Sequence, residues 1–320
     1  MSKYTHDPLE FDGLKTISIF SRGGKVKVAD FAKPYVKGSG LPGWLDSLPH
    51  ILAGDSLRAI ADAILAARAL GKPVIWGLGG HVIKCGLAPV FRALMERGFV
   101  SAIAMNGAAS IHDFEIAIAG YTSEDVEAVL PDGTFGSAEE TGHQMNTAIL
   151  QGNAANLGMG EALGLWLENG AKPEFAPHSI VLEAYRRNIP VTVHVAIGTD
   201  TPHTHPSAEP ASIGAATHRD FRLFASLLRE MNEGGVYLNV GSAVLLPEVF
   251  LKAVSVVRNL GFPLGGFTTA NFDFLQHYRP KVNVVERPHA QSGGHGYSIT
   301  GHHELTIPLL AAILTDTDKD

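Results

Sequence analysis

The stretch from Pro73 to Gly120, PVIWGLGGHVIKCGLAPVFRALMERGFVSAIAMNGAASIHDFEIAIAG, decides the fold. Two apolar runs, "PVIWGLGG" and "VSAIAMNG", read as strands. Each is followed by a segment with helical spacing, "HVIKCGLAPVFRALMERG" and "SIHDFEIAIAG". Neither run alternates polar with apolar residues, as expected of strands covered on both faces. The pattern therefore predicts a parallel sheet.

The same rhythm extends in both directions. Upstream, "DSLRAIADAILAARALG" is an amphipathic helix with Asp55 at its start and Gly71 at its end. Downstream the helices are "NAANLGMGEALGLWLENG", "SIVLEAYRRN", "HRDFRLFASLLREMN", "PEVFLKAVSVVRNLG" and "ELTIPLLAAILTD". The strands between them are "IPVTVHVAIG", "GGVYLNVG", "GGFTTAN" and "VNVVE". The fold class is α/β: a doubly wound, mainly parallel sheet with helices on both faces. Residues 1–50 carry turn signals at "SRGGK" and "KGSGLPG" and read as an N-terminal arm. Residues 51–320 form a single α/β domain.

Composition narrows the partners. The net charge is −7 and no Lys/Arg run stands out, so the footprint of a nucleic-acid binder is missing. The one cysteine, Cys85, cannot form an internal disulfide and fits a reducing compartment. "MSKYTHDPLEFDG" lacks an apolar signal core, and no apolar run reaches the roughly 20 residues of a membrane span. The expectation is a cytoplasmic protein that acts on a small molecule, without nucleic acid or membrane.

In a sheet of this kind ligands bind outside the carboxyl ends of the strands. The first exit, "WGLGGHVIKCG", offers Gly79 and Gly80, either as a tight turn or as backbone brought close to a cofactor. It lacks the third glycine of the full dinucleotide fingerprint. The second offers Asn106, Gly107 and Ala108 ahead of His112, Asp113 and Glu115, whose acids could serve only to complement the helix dipole. The third, "AIGTDTPHTHP", places Asp200 before His203 and His205. These three form a conceivable metal set or an ordinary loop. The fourth carries Gly241 and Ser242, and the fifth Thr269, Ala270 and Asp273. The segment "ERPHAQSGGHGYSITGHHE" reads as a Gly-rich loop over a site, with His289, His295, His302 and His303. No Gly-x-Ser-x-Gly elbow or phosphate-binding Gly-x4-Gly-Lys loop is present. Cys85, in an apolar helical stretch, reads as a small core residue.

Taken in order, these exits resemble the deoxyhypusine synthase family. "NGAASIHDF" is similar to the family's Thr-Ala-Gly-Gly-x-Glu-Glu-Asp turn. "IPVTVHVAIGTDT" is similar to its "IPVF-x-PALTDGS", and "LTIPLL" to its closing "LVFPLL". The resemblance covers roughly residues 55 to 315. It implies a Rossmann-like NAD-binding fold, a homotetramer, and transfer of an aminobutyl group from a polyamine. The family's catalytic lysine sits in a Trp-Gly-Lys loop. Here "NVVERPHAQSGG" has neither residue, and Arg287, which stays protonated, cannot replace the nucleophile. The family's histidine pair is replaced by Leu245-Leu246-Pro247, and an acidic pair by His112-Asp113.

The sequence therefore predicts an NAD-binding protein that acts on a small amine or related metabolite by a route other than the lysine-imine transfer. Gly79, Gly80, Asn106, Gly107 and Ala108 are expected at the cofactor, with Gly241, Ser242, Thr269, Ala270 and Asp273. Asp200, His203, His289 and His295 are expected to handle substrate and protons. Two alternatives stay open. One is a hydrolase or lyase using a divalent metal such as zinc on Asp200, His203 and His205; the other is a non-catalytic relative.

Overall fold

The computed structural model describes residues 3–318. Six strands, β1 (Val74–Leu78), β2 (Ala102–Asn106), β3 (Val191–His194), β4 (Val236–Val240), β5 (Thr268–Asp273) and β6 (His295–Thr300), form one sheet. Every neighbouring pair is parallel, in the order β3-β2-β1-β4-β5-β6. The order reverses between β1 and β4, which is the switch point where such sheets hold ligands. β1 and β4 are buried throughout because helices cover both faces. That is why their sequences are unbroken apolar runs. One core layer centres on Trp76, Phe91 and Phe114; the other centres on Tyr237, Phe250 and Phe267.

The local differences from expectation have identifiable causes. The helix after β1 is two helices, Gly80–Lys84 and Ala88–Glu96. Gly86 breaks it by adopting φ +72°, a left-handed conformation that glycine enters without steric cost. The early amphipathic helix begins at Leu52, so Asp55 lies in its first turn rather than at its cap. The polar middle contains a helix the pattern did not announce, Glu139–Ala154.

The last strand is a correction. "VNVVE" is not a strand: Lys281–Glu286 forms a π-helical turn. The edge strand β6 comes instead from the supposed loop, at His295–Thr300. β-branched residues favour strands only where they can pack against a sheet, and here β5 pairs with the later segment.

Among the described residues, the N-terminal segment has one 3-10 turn, Val28–Asp30, before the helix Gly40–Ser47, whose Leu41 and Leu45 rest on the core. Arg58 anchors this helix by donating to the carbonyls of Leu45, Leu48 and Pro49. No helix among the described residues is long and apolar enough to cross a membrane.

Candidate functional site

The carboxyl edge of the sheet gathers small residues into one row. After β1, Gly79 N donates to Val240 O at 2.8 Å, which ties the corner to β4. A Cβ on Gly79 would run into the carbonyl oxygen of Gly241, so only glycine fits there. Gly241 itself has φ +68°, and a Cβ on it would lie 2.9 Å from Cε1 of His303. Gly80 faces the helix Gly107–Ala119; a Cβ there would stand 3.0 Å from Ala108 Cβ and 3.2 Å from His112 Cδ2. Gly107 leaves room for the Asp200 carboxylate, which would collide with any side chain at that position. Asn106 caps the helix, its Oδ1 accepting from Ala109 N at 2.9 Å. Ser242 Oγ accepts from Leu246 N at 3.2 Å, in the first turn of the helix Leu245–Asn259.

Three buried polar atoms along this row have no protein partner: Asp200 Oδ2, Asn239 Oδ1 and Nδ1 of His303. Leaving a buried polar group unpaired is costly. At the carboxyl edge of the sheet such atoms are suited to a polar ligand or ordered water. Burial pushes the Asp200 carboxyl up to about 6, and a hydrogen bond from Thr199 offsets only part of this. Asp273 ends β5, takes the amide of Phe274 at 2.8 Å and stands 3.9 Å from Nε2 of His303.

His112 connects this row to an open groove of about 900 Å³. Thr122 donates its hydroxyl proton to Glu115, whose ionised carboxylate can only accept. Thr122 must then accept from His112 Nδ1, 2.7 Å away, so that Nε2 of His112 carries the lone pair. Burial raises the Glu115 carboxyl, but the His112 ring 3.8 Å away and hydrogen bonds from Thr122 and Thr141 outweigh it and hold the group below its ordinary value. Glu115 and Thr122 line the groove together with Glu124, Glu140, Trp166 and Lys172. Its charge is therefore mainly acidic.

Asp113, one residue on, does different work. Its buried carboxylate accepts from Ser179 Oγ, Ile180 N and Val181 N, and so caps the helix Ile180–Arg186. Burial still raises it to about 6 despite those three bonds.

Several expected site residues lie elsewhere. Thr269 and Ala270 sit near the entry of β5, not at its exit. Thr269 donates to Val284 O at 2.7 Å and bonds His289 Nε2 at 2.8 Å. His295 pairs with Thr268 at the start of β6. These residues, with His289, occupy the amino edge of the sheet. A five- or six-residue strand separates the two edges by about 15–20 Å, so His289 and His295 do not join Asp200. Burial pushes His289 down to about 4.

The set Asp200, His203 and His205 also fails to converge. The histidines flank and enter a 3-10 turn, Thr201–Thr204, so their spacing of two does not put them on one side as it would in a strand. His205 is engaged by Ser207 and Glu139, and His203 Nδ1 accepts from Gly198 N at 3.4 Å.

The residues that do meet there include three that sequence patterns undervalued. His81 and Cys85, one turn apart, face His303, which begins the last helix. The His-x3-Cys spacing was the available signal.

The fold is that of the deoxyhypusine-synthase-like proteins. A deoxyhypusine synthase assignment from Entamoeba histolytica superposes with a TM-score of 0.50 at 12% identity, over 89% of this chain and 96% of that one. A LOR/SDH protein of Methanococcus maripaludis gives 0.50 at 16%, over 81% and 69%. AgrE gives 0.52 at 18% when unliganded, over 82% and 32%, and 0.51 at 15% in its complex with ornithine and NAD+, over 81% and 32%. The chain thus spans about a third of the length of AgrE. No family model and no curated protein matches the sequence.

Proposed function

We propose that the chain binds NAD at the β1/β4 switch point and acts on a small amine or related metabolite, by a route other than lysine-imine aminobutyl transfer. The observation that carries this reading is the single row of Gly79, Gly80, Gly107 and Gly241, with the unpartnered buried oxygens Asp200 Oδ2 and Asn239 Oδ1 beside it. A fold shared with a protein seen in complex with NAD+ supports the choice of cofactor. The Asn106-capped helix and the Gly79–Gly80 and Gly241–Ser242 corners would hold it, with Asp273 beyond. Nicotinamide bound there supplies hydride transfer.

The chain's own residues do the rest. The acidic groove beside Glu115 attracts a cationic amine. Asp200, poised near neutrality, holds an ammonium or takes a proton from it. His112, oriented through Thr122 and Glu115, offers Nε2 as a base. The absence of the Trp-Gly-Lys loop removes the imine route.

Assembly of several copies belongs to the same proposal. The arm exposes Leu9, Phe11, Leu14, Ile17 and Phe20, each at least 70% accessible. An apolar segment of this kind fits the surface of a second copy. Isothermal titration tests the cofactor. Saturable NAD+ binding is expected, and its absence overturns the reading. With NAD+ present, Asp200→Asn is expected to weaken amine binding roughly tenfold, which corresponds to loss of a charge-assisted hydrogen bond.

A further inference from the structure

We infer that His81, Cys85 and His303 bind a zinc-class divalent metal ion. One donor atom from each lies within 4.8 Å of the other two, the only such set among the described residues. Their positions follow from the fold. His81, in the first turn of the short helix after β1, and Cys85, at its end, are four apart, so both project from one side. His303 opens the helix after β6 and reaches back across the corner at Gly241.

A second observation points the same way. His303 is fully buried, and its Nε2 bonds the carbonyl oxygen of Phe272 at 3.2 Å. A carbonyl can only accept, so Nε2 carries the proton and Nδ1 carries a lone pair. Nδ1 is buried without a partner. Metal-bound histidines are held in this way, one nitrogen anchored by a backbone carbonyl and the other left for the ion. Asp273, 3.9 Å from Nε2, reinforces the arrangement.

Two imidazoles and a thiolate suit zinc in donor type. Bond lengths of about 2.0–2.3 Å require donors to close by about 1 Å. His81 is exposed, and its ring centre already lies 5.6 Å from that of His303. Three protein donors leave one position open, the pattern of a site that binds water or substrate rather than a closed structural site. On binding, the Cys85 thiol loses its proton to solvent and the sulfur bonds the metal. Without metal, the thiol donates to Glu304 Oε2 at 3.4 Å.

This inference does not depend on NAD binding. Untagged full-length protein should hold about one zinc per chain by elemental analysis after loading and desalting. Cobalt(II) should give a thiolate charge-transfer band, attributable without ambiguity because Cys85 is the only cysteine. Cys85→Ser should abolish the band and weaken zinc binding by at least about tenfold; His303→Gln should do the same. Should either variant fail to fold, the unmodified protein still decides: stoichiometric zinc must protect Cys85 from alkylation. The inference is overturned if zinc does not bind stoichiometrically, if the band survives Cys85→Ser, or if zinc leaves alkylation unchanged.

Discussion

Asp200 allows a quantitative test because burial has a defined electrostatic cost. Its carboxyl titrates at about 6 in the folded chain, against an ordinary value of 3.8. Ionising it in the native state therefore costs about 3 kcal/mol more than in the unfolded state. The sign follows from proton counts. Between the two values the folded chain binds the extra proton, so this group's contribution to stability falls as pH rises from about 4 to about 6, then levels off. Asn resembles the protonated acid in shape and cannot ionise. Asp200→Asn should be nearly neutral at pH 4 and stabilising above pH 6, by about 1–3 kcal/mol once relaxation is allowed. Urea unfolding of both proteins from pH 4 to 8 measures the difference. Subtracting the curves cancels Asp113 and Asp220, which burial also raises. A difference independent of pH, or an Asn variant less stable at pH 8 than at pH 4 relative to wild type, would refute the burial argument. The same substitution should weaken the amine ligand, the expected trade between stability and a functional charge.

Other outcomes follow from the same structure. Asp113→Ala strips the cap from helix Ile180–Arg186 and leaves two buried amides unpaired, so chemical unfolding should show a loss of about 2–4 kcal/mol. NAD+ affinity of the folded fraction should not change in that variant. Gly79→Ala forces a methyl into the Gly241 carbonyl, where neither backbone can yield; a loss of about 1–3 kcal/mol is expected by the same method. Deleting residues 1–36 should lower the mass of the assembly in light scattering without unfolding the domain. An unchanged mass would rule out the arm as the joining segment.

The sheet was readable because its physics is local. Runs such as "PVIWGLGG" and "GGVYLNVG" are apolar on both faces, and that alone forces them between two helical layers. "VNVVE" was misread because strand preference in a short β-branched run depends on neighbours that the run does not contain. The glycine corners after β1, β2 and β4 could be anticipated, since each directly follows a recognisable strand. His289 and Thr269 could not be placed, because their distance from Asp200 depends on which end of a strand they occupy.

Chain chemistry alone settled the layer architecture, the carboxyl edge as the place to look, and the missing lysine loop. Long-range packing decided which candidates share a site. It sent His289 and His295 to the far edge, gave Asp113 to a neighbouring helix, and joined His81 and Cys85 to a histidine more than 200 positions away. The reason is that helical and strand spacing act over a few residues. The meeting of separate strand exits, by contrast, is fixed by sheet order and register, and these depend on the burial of the whole core.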